Sequence, residues 1–509
     1  MNNKRLLTII GTVAAINLIS RFFGFFREVI IGFHFGTSYL ADSIITAYTI
    51  PNFLYVVAGG AITTAFISVY NKVDDVKHRA ELRDYIFTYS FIVFALLSLA
   101  FFAFPQWWIH LFFPGLKESD LSATSNLYRI MGPASIFLVM SMYFSGLLNV
   151  DGKFRVTAAA PLLNNIIFIL LALILFPFLK EEAYAWGAMA GASIMAAVLV
   201  WSLSKGGGSS IRFRLKMAKT EYAWRFLKIS LPILLGGATL QFYFLLQRVF
   251  ASSLPDGYLS ALNYSSKLVQ LPQAVLMAAV TTVIYPLIAK KISLGKFSDL
   301  SRMYSEGIQY LLFLMIPFTI FIYIYAEDTV KFIFEYGSFS SSSTIITSEL
   351  LKILVFGMFA HAANLYVTRF FYAMEKAFLP VISGIAAVFG LNVLVIVFFI
   401  DSYGAEAIAW GTTISAYFQL FILMIGSKNM LKLTMQNKIN IGKQLMLVIL
   451  LFVFTLIYSR YIQFDVLIIN LGSGFAVAGG LFLFISKLLN IKELEKVFSS
   501  FSRKKGPGR

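Results

Sequence analysis

The sequence contains no cysteine and only four histidines among its 509 residues. The lack of cysteine excludes a disulfide scaffold, thiolate catalysis and cysteine-ligated metal sites. Charged residues make up only 13% of the chain, whereas a soluble protein carries about 25%. Hydrophobic residues instead reach 59%, and the mean hydropathy is +0.78. This composition excludes disorder and a single soluble core, and it predicts an all-α polytopic membrane protein.

Fourteen apolar segments are long enough to cross a bilayer, because about 20 helical residues span the hydrocarbon core. They lie near residues 6–33, 38–68, 85–112, 126–149, 157–178, 185–203, 226–252, 258–288, 304–325, 350–373, 378–400, 405–426, 444–462 and 466–486. The first is interrupted by Arg21 and Arg27, so we interpret it as a span and not as a cleaved signal peptide. The sequence therefore predicts about fourteen transmembrane helices.

The net charge of +17 is distributed unevenly across these predicted spans. If both termini lie on the same side of the membrane, the termini, connections and helix ends on that side contain 31 of the Lys and Arg residues. The opposite side carries only Lys117, Lys180, Lys331 and Arg460. Basic residues gather on the cytoplasmic side of membrane proteins, so we expect both termini in the cytoplasm. The basic tail at 503–505 is then a membrane-surface anchor, and no nucleic-acid partner is expected.

Part of the sequence repeats itself at an almost constant offset. Three residues recur 221 positions later, which pairs Arg27 with Arg248, Gly36 with Gly257, and Pro51 with Pro272. The tripeptide Ala-Trp-Gly at 185–187 recurs 224 positions later, at 409–411. Each half contains six spans, an even number, so the repeat is parallel and the two lobes face the same way. Such transporters bind their substrate between the lobes.

The repeat also predicts the domain boundaries. We expect an N-terminal six-helix lobe over 1–205 and a cytoplasmic linker, rich in glycine and serine at its start, over 206–219. A C-terminal six-helix lobe is expected over 220–430. Two additional helices and the basic tail, over 431–509, have no partner in the repeat.

Polar side chains recur at helical spacing on four of the predicted spans. They are Asn17, Arg21, Arg27 and Glu28 on the first, Asp42, Thr46, Thr49 and Asn52 on the second, Gln241 and Arg248 on the seventh, and Asn263, Ser266, Lys267 and Gln270 on the eighth. A charged side chain facing lipid at the bilayer centre costs about 2.5–3.5 kcal/mol or more. We therefore expect these faces to line one water-filled cavity.

The charges of this cavity predict the sign of its ligand. Arg21, Arg27, Arg248 and Lys267 outnumber Glu28 and Asp42 by two, and Arg27 is expected to be an unpaired cation. Arginine binds phosphate oxygens in a bidentate manner. A cationic cavity bordered by apolar helices is therefore suited to a phosphorylated lipid. No group for catalysis or for binding a metal is expected in it.

The first two spans resemble the opening signature of the MurJ/MviN family. The segment Ser-Arg-Phe-Phe-Gly-Phe-Phe-Arg-Glu at 20–28, with Gly36, Asp42 and Pro51-Asn52, carries this resemblance. Further matches are Phe-Ala-Ser-Ser-Leu-Pro at 250–255 and Tyr-Gly-Ser-Phe at 336–339. The resemblance extends over nearly the whole chain. It implies the architecture of the multidrug/oligosaccharidyl-lipid/polysaccharide exporter superfamily, with two six-helix lobes plus two helices.

The family resemblance also implies roles for individual residues. Arg21 and Arg27 match arginines thought to hold a diphosphate, and Lys267 stands where the family usually has arginine. Asp42 matches the acid of the second helix, and Glu28 replaces the usual aspartate. Three departures stand out: Tyr55-Val56 replaces a basic pair, Gly59-Gly60 lacks an acid, and Ser266 replaces a common acid.

Members of that family flip lipid II, the undecaprenyl-diphosphate-linked peptidoglycan precursor, so the resemblance implies a transporter of the bacterial cell membrane and no enzyme. A flippase for another undecaprenyl-diphosphate glycan, of an exopolysaccharide or teichuronic-type polymer, would need the same cations. A drug antiporter would need an acidic cavity, and a membrane glycosyltransferase would need a carboxylate base, often with a metal. Membrane lipids and the cell-wall synthesis machinery are the expected partners. The protein is expected to work as a monomer and to need no cofactor. The membrane potential or an ion gradient would supply the energy.

Overall fold

A computed structural model describes residues 3–205, 211–216, 220–236, 239–279, 284–431, 441–491 and 493–494. These residues fold into α-helices and short π-helices, with no strand among them. Most of the predicted linker and the basic tail at 503–505 lie outside the described residues. The all-α prediction is confirmed.

The first half of the described chain contains twelve α-helices and one π-helix. They are α1 (Asn3–Phe35), α2 (Tyr39–Leu54), π1 (Tyr55–Gly59), α3 (Gly60–Tyr70), α4 (Val76–Ala103), α5 (Pro105–Phe112), α6 (Glu118–Met131), α7 (Ala134–Val150), α8 (Phe154–Leu179), α9 (Glu182–Ser204), α10 (Thr220–Gly236), α11 (Thr239–Ala251) and α12 (Tyr258–Ala279). Pro51 cannot donate a backbone hydrogen bond, and the wide π1 turn follows it within the continuous span Tyr39–Tyr70.

The second half continues the helical pattern. Its elements are α13 (Tyr285–Ser293), α14 (Phe297–Ile324), α15 (Ala326–Phe334), α16 (Ser341–Leu354), α17 (Gly357–Ala373), α18 (Phe378–Ile385), π2 (Ala386–Asn392), α19 (Val393–Tyr403), α20 (Ala405–Leu431), α21 (Ile441–Tyr461) and α22 (Leu467–Leu488).

Among the described residues, eleven helices are long and apolar enough to cross a membrane, or twelve if α16 and α17, bent by 46°, form one span. The chain is therefore a multi-pass membrane protein, but the count of fourteen is not confirmed. The difference falls on two predicted segments, 226–252 and 258–288. Both contain residues that are not described, at 237–238 and 280–283. They also carry many of the polar side chains assigned to the cavity, which lowers their hydropathy.

The described chain divides into two compact units. The first comprises Met1–Tyr264, Gly337–Phe339 and Ile400–Ile408, and the second comprises Ser265–Tyr336, Ser340–Phe399 and Ala409–Arg509. The lobe boundaries at 205, 219 and 430 follow the repeat and stay a prediction, because these units are defined by compactness alone.

Small residues allow the helices of the first unit to pack closely. Gly187 and Gly191 lie one turn apart on α9, in the small-xxx-small spacing that brings membrane helices together. A Cβ at Gly187 would stand 2.7 Å from the carbonyl oxygen of Phe168, and one at Gly191 would stand 2.8 Å from that of Asn164. Both contacts are with α8, so glycine is required at this interface.

The repeated residues have the same local geometry in both copies. Gly36 and Gly257 both adopt positive φ, at +58° and +91°, which favours glycine over any residue with a Cβ. In the second unit, a Cβ at Gly411 would stand 3.2 Å from the carbonyl oxygen of Asn392. Asn392 and Phe168 are separated by the same 224 residues as Gly411 and Gly187. The repeat in the sequence therefore corresponds to a repeat in backbone conformation.

Candidate functional site

The candidate site begins with two adjacent charged residues on α1. Arg27 donates from Nη2 to Oε1 of Glu28 over 2.8 Å, and their side chains are only 12% and 5% exposed. The expectation that Arg27 is an unpaired cation is therefore wrong. The physical reason is that a carboxylate next in sequence can fold back along the same helix and offset the guanidinium charge.

Two aromatic rings complete the surroundings of Arg27. Its guanidinium carbon lies 4.8 Å from the ring centroid of Tyr48 on α2 and 5.0 Å from that of Phe168 on α8. Cations within about 6 Å of an aromatic face are attracted by the ring quadrupole. The guanidinium is thus held by one carboxylate and two rings.

A second arginine joins this cluster from α11. Arg248 donates from Nη1 to Oγ1 of Thr49 over 3.0 Å and from Nη2 to Oδ1 of Asn263 over 2.7 Å. Asn263 in turn donates from Nδ2 to Oε2 of Glu28 over 2.8 Å. The structure therefore brings together Arg27, Glu28, Thr49, Arg248 and Asn263, and we call these five residues the arginine cluster.

The charges in the arginine cluster do not cancel. Two guanidinium groups share one carboxylate, and Glu28 uses one oxygen for Arg27 and the other for Asn263. The hydrogen-bond partners of Arg248 in this cluster are neutral oxygens. A net positive charge is thus concentrated among membrane-spanning helices, where it is costly unless a counter-charge or water is present.

Asp42 has a different role from the one expected of it. Its carboxylate accepts hydrogen bonds from the backbone N–H groups of Gly257, over 2.6 Å, and Ser260, over 2.7 Å. It therefore caps the N-terminus of α12, where a carboxylate is favoured by the exposed N–H groups and the helix dipole. It offsets backbone partial charges, and the expectation that it balances a cavity cation is corrected. Nearby, Lys117 and Asp256 form an exposed ion pair at 2.5 Å, and this hydrogen bond raises the pKa of Lys117.

The other predicted residues of α1 and α2 lie apart from the arginine cluster. Arg21 and Asn17 are exposed, and Arg21 has no hydrogen-bond or ion-pair partner in the described part of the chain. Thr46 is fully buried, and its hydroxyl has no hydrogen-bond partner among those residues. Asn52 is half-buried.

Four predicted residues lie on α11 and α12 outside the cluster. Gln241 is half-buried on α11. Ser266 is buried, and Lys267 and Gln270 are half-buried, on the part of α12 that belongs to the second unit. Lys267 follows Asn263 by four residues, so it lies one helical turn further along the same face of α12. The expected cavity shared by all these residues stays a prediction.

Among the described residues, no group of three or more His, Asp or Glu side chains could hold a metal ion. The ligands available in the arginine cluster are one carboxylate, an amide and a hydroxyl beside two cations, which favours an anion over a metal.

Comparison with known proteins identifies the family. The family model described as "Lipid II flippase MurJ" matches residues 31–471 of this chain. The chain belongs to the MurJ family. A "probable lipid II flippase MurJ" of Rhizobium meliloti (strain 1021) is 28% identical over 428 residues, which cover 81% of this chain and 79% of that protein.

Solved structures give the same fold. A structure titled "Lipid II flippase MurJ, inward closed conformation" is similar with a TM-score of 0.80 and 20% identity, covering 96% of this chain and 99% of that one. A multidrug resistance MATE family transporter of the MOP superfamily, in an inward-facing conformation, is similar with a TM-score of 0.69 and 12% identity. The match covers 82% of this chain and 98% of that transporter. The fold is therefore that of MurJ and MATE transporter structures, and the division into two six-helix lobes plus two helices stays a prediction.

Two residues that surround Arg27 in this MurJ family member were not predicted from the sequence. They are Tyr48 and Phe168, whose rings lie beside the guanidinium. Tyr48 is next to Thr49, which the helical spacing had selected, so its position carried a weak signal. Phe168 is one of 52 phenylalanines and carried none.

Proposed function

We propose that this protein moves lipid II from the cytoplasmic to the outer leaflet of the bacterial cell membrane by alternating access. Membership of the MurJ family supports this proposal, and so do the relatives named as lipid II flippases. The observation that carries it is the arginine cluster, a net positive site among membrane-spanning helices. Such a site is suited to an anionic headgroup and unsuited to a cationic drug.

The diphosphate of the lipid is the part that the arginine cluster would bind. Arg248 is hydrogen-bonded to neutral partners, so it can exchange Thr49 and Asn263 for phosphate oxygens without leaving a carboxylate behind. Arg27 would have to exchange Glu28 as well. Arg21 is exposed on the same helix and would add a third guanidinium. Lys267, one turn beyond Asn263 on α12, would add a point charge.

The proposal includes a membrane topology, an energy source and partners for the protein. Both termini lie in the cytoplasm, as supported by the Lys and Arg distribution. No cofactor takes part, and the membrane potential or an ion gradient drives the cycle. The protein works as a monomer beside the cell-wall synthesis machinery, and its apolar helices contact membrane lipids.

Leaflet-resolved mass spectrometry of undecaprenyl-linked intermediates tests this function. The protein is depleted in a strain without redundant flippases, and plasmid copies of the wild type or Arg248→Gln are supplied. Arg302→Gln is the matched control, because the Arg302 side chain is 70% exposed and forms an ion pair with Glu306. We expect lipid II to accumulate in the inner leaflet after depletion and with Arg248→Gln, but not with Arg302→Gln.

The same measurement separates the proposal from its nearest alternative. In the alternative outcome, another undecaprenyl-diphosphate glycan accumulates while lipid II keeps its normal distribution. The transported substrate would then be an exopolysaccharide or teichuronic-type precursor. Normal distributions of all such lipids in the sensitised strain would contradict a flippase role altogether.

A further inference from the structure

A second cavity lies in the first unit, away from the arginine cluster. Its volume is about 480 Å³, within the range of about 300–1,000 Å³ that is typical of ligand pockets. The walls are largely apolar and come from four helices, with Tyr70 on α3, Phe87 on α4, Phe144 and Leu147 on α7, and Leu203 on α9. None of these residues takes part in the proposed transport site.

A short segment of the linker borders this cavity. Residues 211–216, which we call the strap, begin with Ile211 at the cavity wall. Phe213 of the strap contacts the rings of Phe87 and Phe91 on α4, with centroid distances of 5.3 and 5.5 Å. The strap therefore contributes Ile211 to the wall and packs on α4 through Phe213.

Hydrogen bonds hold the strap in this position. The backbone N–H of Arg214 donates to Oγ1 of Thr88 over 2.7 Å, and the Tyr89 hydroxyl donates to the carbonyl oxygen of Leu215 over 3.2 Å. The Arg214 guanidinium donates to Oε1 of Glu81 over 3.2 Å. Glu81 is 5% exposed, so removal of the strap would leave a buried carboxylate without this cation.

Basic residues are neighbours of the cavity lining in the sequence. Lys205 follows the lining residue Ser204 and lies with its ammonium 3.9 Å from the Trp201 ring centroid. Arg212 follows the lining residue Ile211 and is exposed. Lys153 donates to the carbonyl oxygen of Ser202 over 2.9 Å. The lining itself contains one acidic residue, Asp151.

A charged residue also lines the interior. Arg83 is 8% exposed and forms an ion pair with its neighbour Asp84 at 2.8 Å. An apolar chamber with a buried arginine and basic residues next to its lining has the pattern of an amphiphile site, in which the tail is enclosed and the head is anionic.

We infer that this cavity holds an acyl chain of an anionic phospholipid, with the lipid phosphate at Lys205 and Arg212. The basic residues favour such a lipid, because basic clusters beside a membrane helix attract anionic headgroups over neutral ones. The position of the cavity favours it too, because the cavity lies where α4, α7 and α9 meet the linker, and membrane lipids are present at helix ends. The bound lipid would stabilise the strap, and the site is independent of the transported lipid.

Photolabelling of the full-length protein in nanodiscs tests the inference. One preparation contains phosphatidylglycerol with a diazirine on one acyl chain, and the other contains phosphatidylcholine with the same chain. After irradiation, peptides are identified by mass spectrometry. We expect phosphatidylglycerol to label peptides covering 144–151 and 200–204 about tenfold more strongly, the ratio that one or two basic residues support.

Two variants and one control locate the label. Leu203→Trp fills the cavity and should abolish labelling of those peptides. The control Leu99→Trp, at a residue of α4 that is 62% exposed, should leave the labelling unchanged. Lys205→Gln combined with Arg212→Gln keeps the cavity and should remove the preference for phosphatidylglycerol. This second variant changes only surface charge, so it tests the site even where the tryptophan variant does not fold.

Three outcomes would overturn the inference. They are equal labelling by both phospholipids, cavity labelling that persists in folded Leu203→Trp, and stronger labelling of the same peptides by a diazirine-bearing undecaprenyl phosphate. The last result would assign the cavity to the polyprenyl chain.

Discussion

Arg27 and Arg248 occupy equivalent positions in the repeat, 221 residues apart, but their surroundings differ. Arg27 is paired with the carboxylate of Glu28 and lies between two aromatic rings. Arg248 is hydrogen-bonded to the neutral oxygens of Thr49 and Asn263. The residue that follows Arg248 is valine, so the repeat does not supply a second carboxylate.

The sequence predicts the same task, phosphate binding, for both arginines, but their different surroundings indicate two different tasks. A guanidinium whose charge is offset by a buried carboxylate contributes chiefly to holding the helices together. A guanidinium whose hydrogen-bond partners are neutral keeps more of its charge available for an anion. We therefore expect changes at Arg27 to act mainly on folding and changes at Arg248 to act mainly on transport.

The largest effect is expected for the pair Arg27 and Glu28. Arg27→Ala or Glu28→Gln alone leaves a buried charge without its partner, which costs about 3–5 kcal/mol of unfolding free energy. The double variant should lose much less than the sum of the two. Thermal unfolding in detergent measures this cycle, with Glu28→Asp as the conservative control. Strictly additive losses would show that the pair is not coupled.

Arg248→Gln should separate transport from stability. Its partners are neutral, so the folded fraction should stay close to that of the wild type. Loss of a hydrogen bond from a charged group costs about 1.5–3 kcal/mol of binding, or one to two decades in apparent affinity for lipid II. A flipping assay in proteoliposomes, alongside unfolding curves, gives both quantities. A variant that unfolds but transports normally per folded molecule would reverse the assignments of the two arginines.

Lys267, the repeat partner of Thr46, tests the chemistry of the ligand. Lys267→Arg should preserve or improve transport, because a guanidinium binds two phosphate oxygens where an ammonium is a point charge. Lys267→Gln should lose about 1.5–3 kcal/mol of binding, and Lys267→Glu should be worse. Flipping rates are compared at matched expression. Full activity of Lys267→Gln would remove this residue from the site.

A smaller effect is expected for Asp42, the repeat partner of Asn263. Asp42→Ala removes the cap of α12 and should cost about 0.5–2 kcal/mol of unfolding free energy. Asp42→Asn keeps an acceptor oxygen and should cost less. Hydrogen exchange of the Gly257 and Ser260 amides should accelerate in the alanine variant. If exchange is unchanged, the cap does not hold these amides in solution.

The smallest effect is expected where the repeat has no counterpart. Arg503, Lys504 and Lys505 changed together to Ala should leave flipping near the wild-type level, because the tail follows the last predicted span. Membrane association of the variant is measured by fractionation. A loss of flipping at normal abundance would show that the tail does more than contact the membrane surface.

Composition, hydrophobic segments and the repeat determine the class of this protein without any coordinates. A chain with 59% hydrophobic residues has to place them in a bilayer, and the offset of 221 residues fixes which arginines correspond. Helical spacing was enough to select Glu28, Thr49 and Asn263 as members of one polar region. These predictions depend on period and composition, which are local properties of the chain.

Only the tertiary structure decided how those residues pair. Glu28, which is next to Arg27 on α1, also accepts a hydrogen bond from Asn263 on α12, 235 residues further along the chain. Asp42 caps the N-terminus of α12 by accepting a hydrogen bond from the N–H of Gly257, 215 residues further along the chain. The strap lies in the predicted cytoplasmic linker, and its hydrogen bonds with α4 were likewise not predicted from the sequence. Such pairings depend on distances between side chains far apart in sequence, and no periodic pattern encodes those distances.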